Sequence, residues 1–328
     1  LFYVGRVAAF AANINLLFDY GAFLWDGASV GLIRNIMIVL VVGGLAVINI
    51  LGVKKAMQTI NILTFLKLIP IFLMILLGVQ YLTPETLLPP GLPKFDDAGA
   101  VVLLIFFAFT GFESVLASAG ETKNPRTTIP RALIIVFIAV TIIYFLLQLV
   151  YVTVGPEISG SAPLIGLGNS LIGPVGGVII ILTAIFSILG NVAGIAIFAS
   201  RSTFGMAHFG LLPMWFGKVH EKYNSPANSV IFQAVFVIIL AVSGTFVYLA
   251  IAGTLARMIG YSICIIALPR VMKNADPEVA KDAFKIPGGM IIPVIGISVC
   301  VFAMTQSELL NWQYLLSFVA VGSVLYFS

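Results

Sequence analysis

Long apolar runs cut by short polar segments dominate the chain. Runs close to the twenty or so residues that a helix needs to cross a bilayer lie at about 2–24, 34–51, 59–81, 99–119, 131–154, 174–200, 226–243, 245–268, 287–305 and 312–327. This pattern predicts an all-α, polytopic bundle of ten membrane helices. The run at 312–327 is short, and a single residue, Gly244, separates 226–243 from 245–268. Between the runs, the longer segments at 81–98, 155–173, 201–225 and 269–286 are rich in Pro, Gly or mixed charge, which suits loops with short surface helices. No soluble domain interrupts the bundle, and no internal repeat is visible.

Composition turns the pattern into a statement about solvent. The chain is 60% hydrophobic and 9% charged, with a mean hydropathy of +1.13. A soluble domain cannot hide that much apolar surface, so the surrounding medium is lipid. The charge of +4 belongs to loops rather than to a nucleic-acid surface, because no basic stripe interleaved with aromatics is present. Alternate loops divide the charges. One set carries Lys54, Lys55, Lys123, Arg126, Arg131, Arg201, Lys218, Lys222, Arg270, Lys273, Lys281 and Lys285. The other holds only Arg34 and Lys94, against Asp26, Glu85, Asp96, Asp97, Glu157 and Glu308. Cytoplasmic loops concentrate Lys and Arg, so the first helix is expected to run outward and the C-terminus to lie in the cytoplasm.

Cys264 and Cys300 stand in apolar runs as lipid-facing or packed thiols. His208 and His220 lack metal-ligand spacing, and no enzyme motif is present. Neither an enzyme nor a bound cofactor or metal is expected. The chain opens LFYVGRV, without an initiator Met or a charged leader segment, which suggests a natural start further upstream.

Candidate chemistry lies in the charges kept at bilayer depth, each costing on the order of 2.5–3.5 kcal/mol on insertion scales. Lys67, in LTFLKLIP, is too deep to snorkel comfortably. An ammonium withdrawn from water can lose its proton near neutral pH, which suits proton coupling; a lysine held permanently on backbone carbonyls is the competing reading. Glu113 follows a Gly111-Phe112 break. It can orient the broken helix by accepting backbone N–H bonds, or it can face a substrate or relay protons. Arg257 is expected to tie helices together. Arg6 and Asp19, near the ends of the first run, are expected to reach the interfaces as anchors or gate contacts. Asn13 and Asn15 sit among alanines on a small face made for close packing, where Asn13 can also line a cavity.

The segment FFAFTGFESVLASAGETKNPRTTIPRAL, Phe106–Leu133, gathers these features. An apolar helix that breaks at a glycine, keeps a carboxylate and ends in a basic loop frees backbone groups that survive at this depth only beside a cavity. Its GFESVLASAGETKNPRTTIPRA closely resembles the sixth-helix signature of the amino acid/polyamine/organocation transporters. Supporting likenesses are GRVAAFAANINLLFDY to the third helix, TFLKLIP to the fifth, Arg201 through Pro213 to the end of the eighth and GTFVYLAIAGTLARMIGY to the tenth.

The resemblance implies the LeuT-type inverted-repeat fold, with helices three to twelve of twelve visible and the first two missing. Residues 1–328 would be an N-terminally incomplete transport domain: 1–81 the rest of the first repeat, 99–268 the second, and 287–328 two C-terminal helices. It also implies a bacterial inner-membrane permease taking up an amino acid with a proton. Phe107, Ala108, Thr110 and Gly111 would contact substrate through the backbone, Phe112 would cover it as an aromatic lid, Asn13 would face it, and Lys67 would couple the proton. Exchange, as in arginine/agmatine antiporters, and amino-acid sensing without transport are the alternatives. Departures from the family pattern are Phe107 and Ile195 where such exchangers place tryptophans, and AHFGLLP where ARDGLLP is common.

Overall fold

The fold is that of a computed structural model in which residues 2–51, 54–83, 98–114, 122–155, 162–275 and 288–327 are described. Among them the chain is helical and contains no strand. The helices are α1 (Phe2–Gly21), α2 (Leu32–Leu51), α3 (Lys54–Gly78), α4 (Ala98–Phe109), α5 (Pro125–Val154), α6 (Pro163–Ile172), α7 (Pro174–His208), α8 (Ala227–Ser243), α9 (Phe246–Lys273), α10 (Ile291–Thr305) and α11 (Leu309–Phe327). Every apolar run of the sequence coincides with one of these helices, and α6 is a short helix in the 155–173 connection. The later part of the 99–119 run, most of the 81–98 and 269–286 loops, and the charges Lys94, Glu85, Asp96, Asp97, Glu157, Lys281 and Lys285 lie outside the described residues.

By length and apolarity, α2, the Ile62–Tyr81 stretch, α5, α7 and α9 can each cross a membrane. Large apolar side chains point outward from them, such as Phe65, Ile69 and Leu76 on α3 and Ile135, Ile138 and Phe145 on α5. Polar side chains go inward instead: Asn13, Asn15, Asn49, Gln233, Glu113 and Arg257 are all buried. This is the partition expected when the solvent is hydrocarbon.

At the centre stands α1, buried along almost its whole length from Gly5 to Tyr20, with α7, α8 and α9 packed around it. Small residues permit this. A side-chain carbon added to Gly5 would lie 3.0 Å from the Gly253 carbonyl oxygen, and one added to Gly253 would lie 3.2 Å from that of Gly5. Backbone thus meets backbone where α1 crosses α9. Polar pins then fix the register. Asn15 Nδ2 donates to the Ala241 carbonyl on α8 at 3.0 Å, and Asn49 Nδ2 on α2 donates to the Ala196 carbonyl on α7 at 2.8 Å. Arg34 donates to Asp19 at 2.9 Å and to the Asn15 side-chain oxygen at 3.0 Å, tying α2 to one end of α1.

Candidate functional site

The site is built on the end of α4. The helix stops at Phe109 because Thr110 closes it with a tighter turn, its N–H donating to the Phe107 carbonyl at 3.1 Å and its hydroxyl to the same oxygen at 2.7 Å. Gly111 then takes φ +108°, a conformation that a residue with a Cβ adopts only under strain. A short turn follows, in which Ser114 N–H donates to the Gly111 carbonyl at 3.0 Å.

A buried carboxylate holds this break in place. Glu113 Oε2 accepts the Gly111 N–H at 3.0 Å and the Tyr261 hydroxyl of α9 at 3.0 Å. Its other oxygen, Oε1, lies 3.3 Å from Nε of Arg257, also on α9. That contact is an ion pair without hydrogen-bond alignment, since neither atom has a hydrogen-bond partner. Arg257 completes the link by donating from Nη1 to the Thr110 hydroxyl. Both ends of the break are therefore tied to one helix.

Beside the break lies a cavity of about 300 Å³. From α1 come Arg6, Ala9 and Asn13; from α3, Leu63, Thr64 and Lys67; from the break, Phe107, Thr110, Gly111 and Ser114. The α7 wall includes Ser187, Asn191 and Ile195, and Arg257 closes the α9 side. Asn13 anchors its Nδ2 on the Ala9 carbonyl at 2.7 Å and receives Asn191 Nδ2 at 3.5 Å, a contact at the limit of hydrogen bonding. Lys67 makes no ion pair with a described residue. Three residues on, Pro70 lies inside the helix and cannot donate to the carbonyl one turn back, at Leu66.

The cavity thus brings together Asn13, Lys67, Phe107, Thr110, Gly111 and Arg257, with Glu113 just behind the wall. Ala108 and Phe112 lie elsewhere. Ala108 is exposed on α4, and its carbonyl accepts the Tyr144 hydroxyl at 3.3 Å. The Phe112 ring packs between Phe137 at 5.1 Å and Tyr261 at 5.6 Å, lining a second, apolar pocket with Phe109, Cys264 and Cys300.

Arg6 departs from its expected place. The residue is buried in protein instead of standing exposed as an anchor: it is 7% exposed and lines the cavity, because the Gly5–Gly253 crossing sets this end of α1 against α9. Its position was legible in part, since Arg6, Ala9 and Asn13 fall at i, i+3 and i+7 on one helical face. Ser187, Asn191 and Gly194 repeat the signal on α7, as polar and small residues at helical spacing in an otherwise apolar run. No group of three or more His, Cys, Asp or Glu among the described residues is placed to hold a metal.

The sequence profile of the amino acid permease family matches residues 1–327. The chain belongs to this family. The methylthioribose transporter of Bacillus subtilis is 27% identical over 92% of the chain and 65% of its own length. The branched-chain amino acid permease BcaP of the same organism is 29% identical over 84% of the chain and 60% of its own length. Its serine/threonine exchanger SteT is 28% identical over 79% and 60%. The chain therefore spans about three fifths to two thirds of these relatives. All three are named for moving solutes and not for catalysis, and with the apolar helices they make this a multi-pass membrane protein of the amino acid permease family.

Proposed function

We propose that the complete protein carries an amino acid across the cytoplasmic membrane by alternating access, with a proton as the coupling ion. The observation that carries this reading is the polar cavity at the α4 break, enclosed by five helices of a lipid-facing bundle and lined by a lysine. Irregular backbone at membrane depth belongs where it lines such a cavity. Asn13, Phe107, Thr110 and Gly111 are the proposed substrate contacts. Lys67 is the proposed coupling group, since it lines the cavity and makes no ion pair with a described residue. Glu113 and Arg257 hold the break. Ala108 and Phe112 stay outside this assignment unless the segment after Gly111 turns when substrate binds.

Further parts of the proposal rest on the sequence: a cytoplasmic C-terminus, and a division into 1–81 and 99–268 as inverted repeats with 287–328 as an appended pair. The relatives' substrates differ, so the substrate is proposed as an amino acid only. Exchange is the second reading, favoured by the likeness to a serine/threonine exchanger. Among the described residues the lining of the cavity includes no Asp or Glu, which argues against a dicationic exchange substrate such as agmatine.

Flux through proteoliposomes of the full-length protein tests the proposal. An imposed inward proton gradient should drive accumulation of an amino acid, and Lys67→Ala should abolish that accumulation while ligand-induced thermal stabilisation survives. Gradient-independent counterflow alone would replace symport by exchange.

A further inference from the structure

The connection between α7 and α8 is closed by its own hydrogen bonds, yet it leaves large apolar side chains outside. α7 ends where Gly210 takes φ +71°. The Gly210 N–H donates to the Ala207 carbonyl at 3.1 Å and the Leu211 N–H to that of Met206 at 2.9 Å, a helix stop that glycine makes without strain. A 3-10 turn at Met214–Gly217 follows. It is pinned to α8, with Asn228 Nδ2 donating to the Trp215 carbonyl at 2.8 Å and the Ser229 hydroxyl to that of Phe216 at 2.9 Å. The Phe216 ring is buried and packs on Phe232 at 5.0 Å. The last part folds on itself, His220 N–H donating to the Ser225 carbonyl at 2.8 Å and Asn224 N–H to that of His220 at 2.9 Å. Within this fixed frame Phe209 is 84% exposed, and Leu211, Met214 and Trp215 are exposed as well. Lys218 and Lys222 are exposed in the same connection, with Glu221 the one acid between His208 and Asn228.

A loop bathed in water gains nothing by holding Phe, Met and Trp outside, and such a group of apolar side chains marks a contact surface. What it meets follows from where it sits. α7 is long and apolar enough to cross a membrane, and α8 is an apolar helix packed in the same bundle, so their connection emerges where hydrocarbon gives way to water. Tryptophan is favoured there because its ring system is apolar at one end and wet at the other, and lysine can extend its stem to the headgroups. Phe209 stands in AHFGLLP where the resembling motif carries an acid, which exchanges a group that anionic lipid repels for one that lipid solvates. We propose that this connection is an anchor for anionic phospholipid: Phe209, Leu211, Met214 and Trp215 enter the boundary between headgroups and acyl chains, and Lys218 and Lys222 pair with lipid phosphates. The anchor holds the end of α7, the helix that brings Ser187, Asn191 and Ile195 to the cavity. It does not rely on the transport proposal.

The test places single cysteines in the full-length protein, its native cysteines replaced, and reconstitutes it in nanodiscs of phosphatidylcholine and phosphatidylglycerol. Spin labels at Phe209→Cys, Leu211→Cys and Met214→Cys should be reached by oxygen, which partitions into lipid, far more readily than by a water-soluble nickel chelate. A label at Asn224→Cys should show the opposite preference. Labels at the first three positions as open to the chelate as that at Asn224 would put the loop in water and overturn the anchor. Labels shielded from both reagents would overturn it too, because protein and not lipid would then cover the patch. The lysines are tested by a fluorophore on Met214→Cys, quenched by phosphatidylglycerol that carries a spin-labelled headgroup. Replacing Lys218, Lys222 or both by Gln should raise the mole fraction needed for half-quenching roughly 5-fold per lysine lost. A half-quenching point that stays in place in the double variant overturns the pairing with anionic headgroups.

Discussion

Glu113 serves three neighbours at once, the Gly111 N–H, the Tyr261 hydroxyl and the Arg257 guanidinium. Removing it would do more than delete bonds, since it would leave Arg257, 2% exposed, as an unpaired buried charge. Glu113→Ala should therefore destabilise the full-length protein by about 3–5 kcal/mol, read as a lowered melting temperature in detergent. Glu113→Gln keeps an oxygen for Gly111 and Tyr261 and should lose less. At this scale, sequence shows which residues are costly but not which ones meet. Lys67 and Arg257 stand out as charges in apolar runs. That Arg257 belongs to Glu113 and Arg6 to the cavity depends on helices distant in sequence; local spacing gives the face Arg6 shares with Asn13 but not the helices it meets.

Two glycines govern the closest helix crossing. Because Gly5 and Gly253 set α1 against α9 at backbone distance, Gly253→Val should push the helices apart at a cost of about 1–3 kcal/mol. The expected signs are a lower melting temperature and weaker ligand binding, since the same crossing carries Arg6 and Arg257 to the cavity. An unchanged melting temperature would mean that the crossing tolerates separation. Elements were the most legible level of this protein. Apolar length marks each helix except the short α6, and the glycine inside FTGFE marks the break. Less legible was the rank of the elements, for α1, the most deeply enclosed, has fewer large apolar residues than the lipid-facing helices. Burial inside protein favours alanine and asparagine, whereas exposure to lipid favours isoleucine and phenylalanine.

Across the whole molecule, the alternation of basic and acidic connections along the sequence predicts an apolar belt between two ends of unlike charge. The basic connections after α7 and α9 should face the cytoplasm. A cysteine at Asn224, in the exposed loop between α7 and α8, should react with an impermeant thiol reagent only from that side, in a background with Cys264 and Cys300 replaced. A cysteine at Ser29, between α1 and α2, should react only from the opposite side. The reverse pattern would invert the proposed orientation. Loop charges alone yield this expectation of orientation, because it follows from counting and requires no contact.

The enclosed position of α1 also bears on how the protein is made. Its stretch does not meet the length and apolarity measure that α2, α5, α7 and α9 satisfy, so lipid alone is a poor host for its arginine and asparagines. The helices that pack around its length, α7, α8 and α9, begin at Pro174, and synthesis at about 5–20 residues per second separates them from α1 by roughly ten to thirty seconds. During that interval the helix needs a temporary companion, such as the insertion machinery or an earlier segment of the chain. Assembly of this protein is thus a problem of waiting, and changes that lengthen the wait should lower its yield even when the finished structure is untouched.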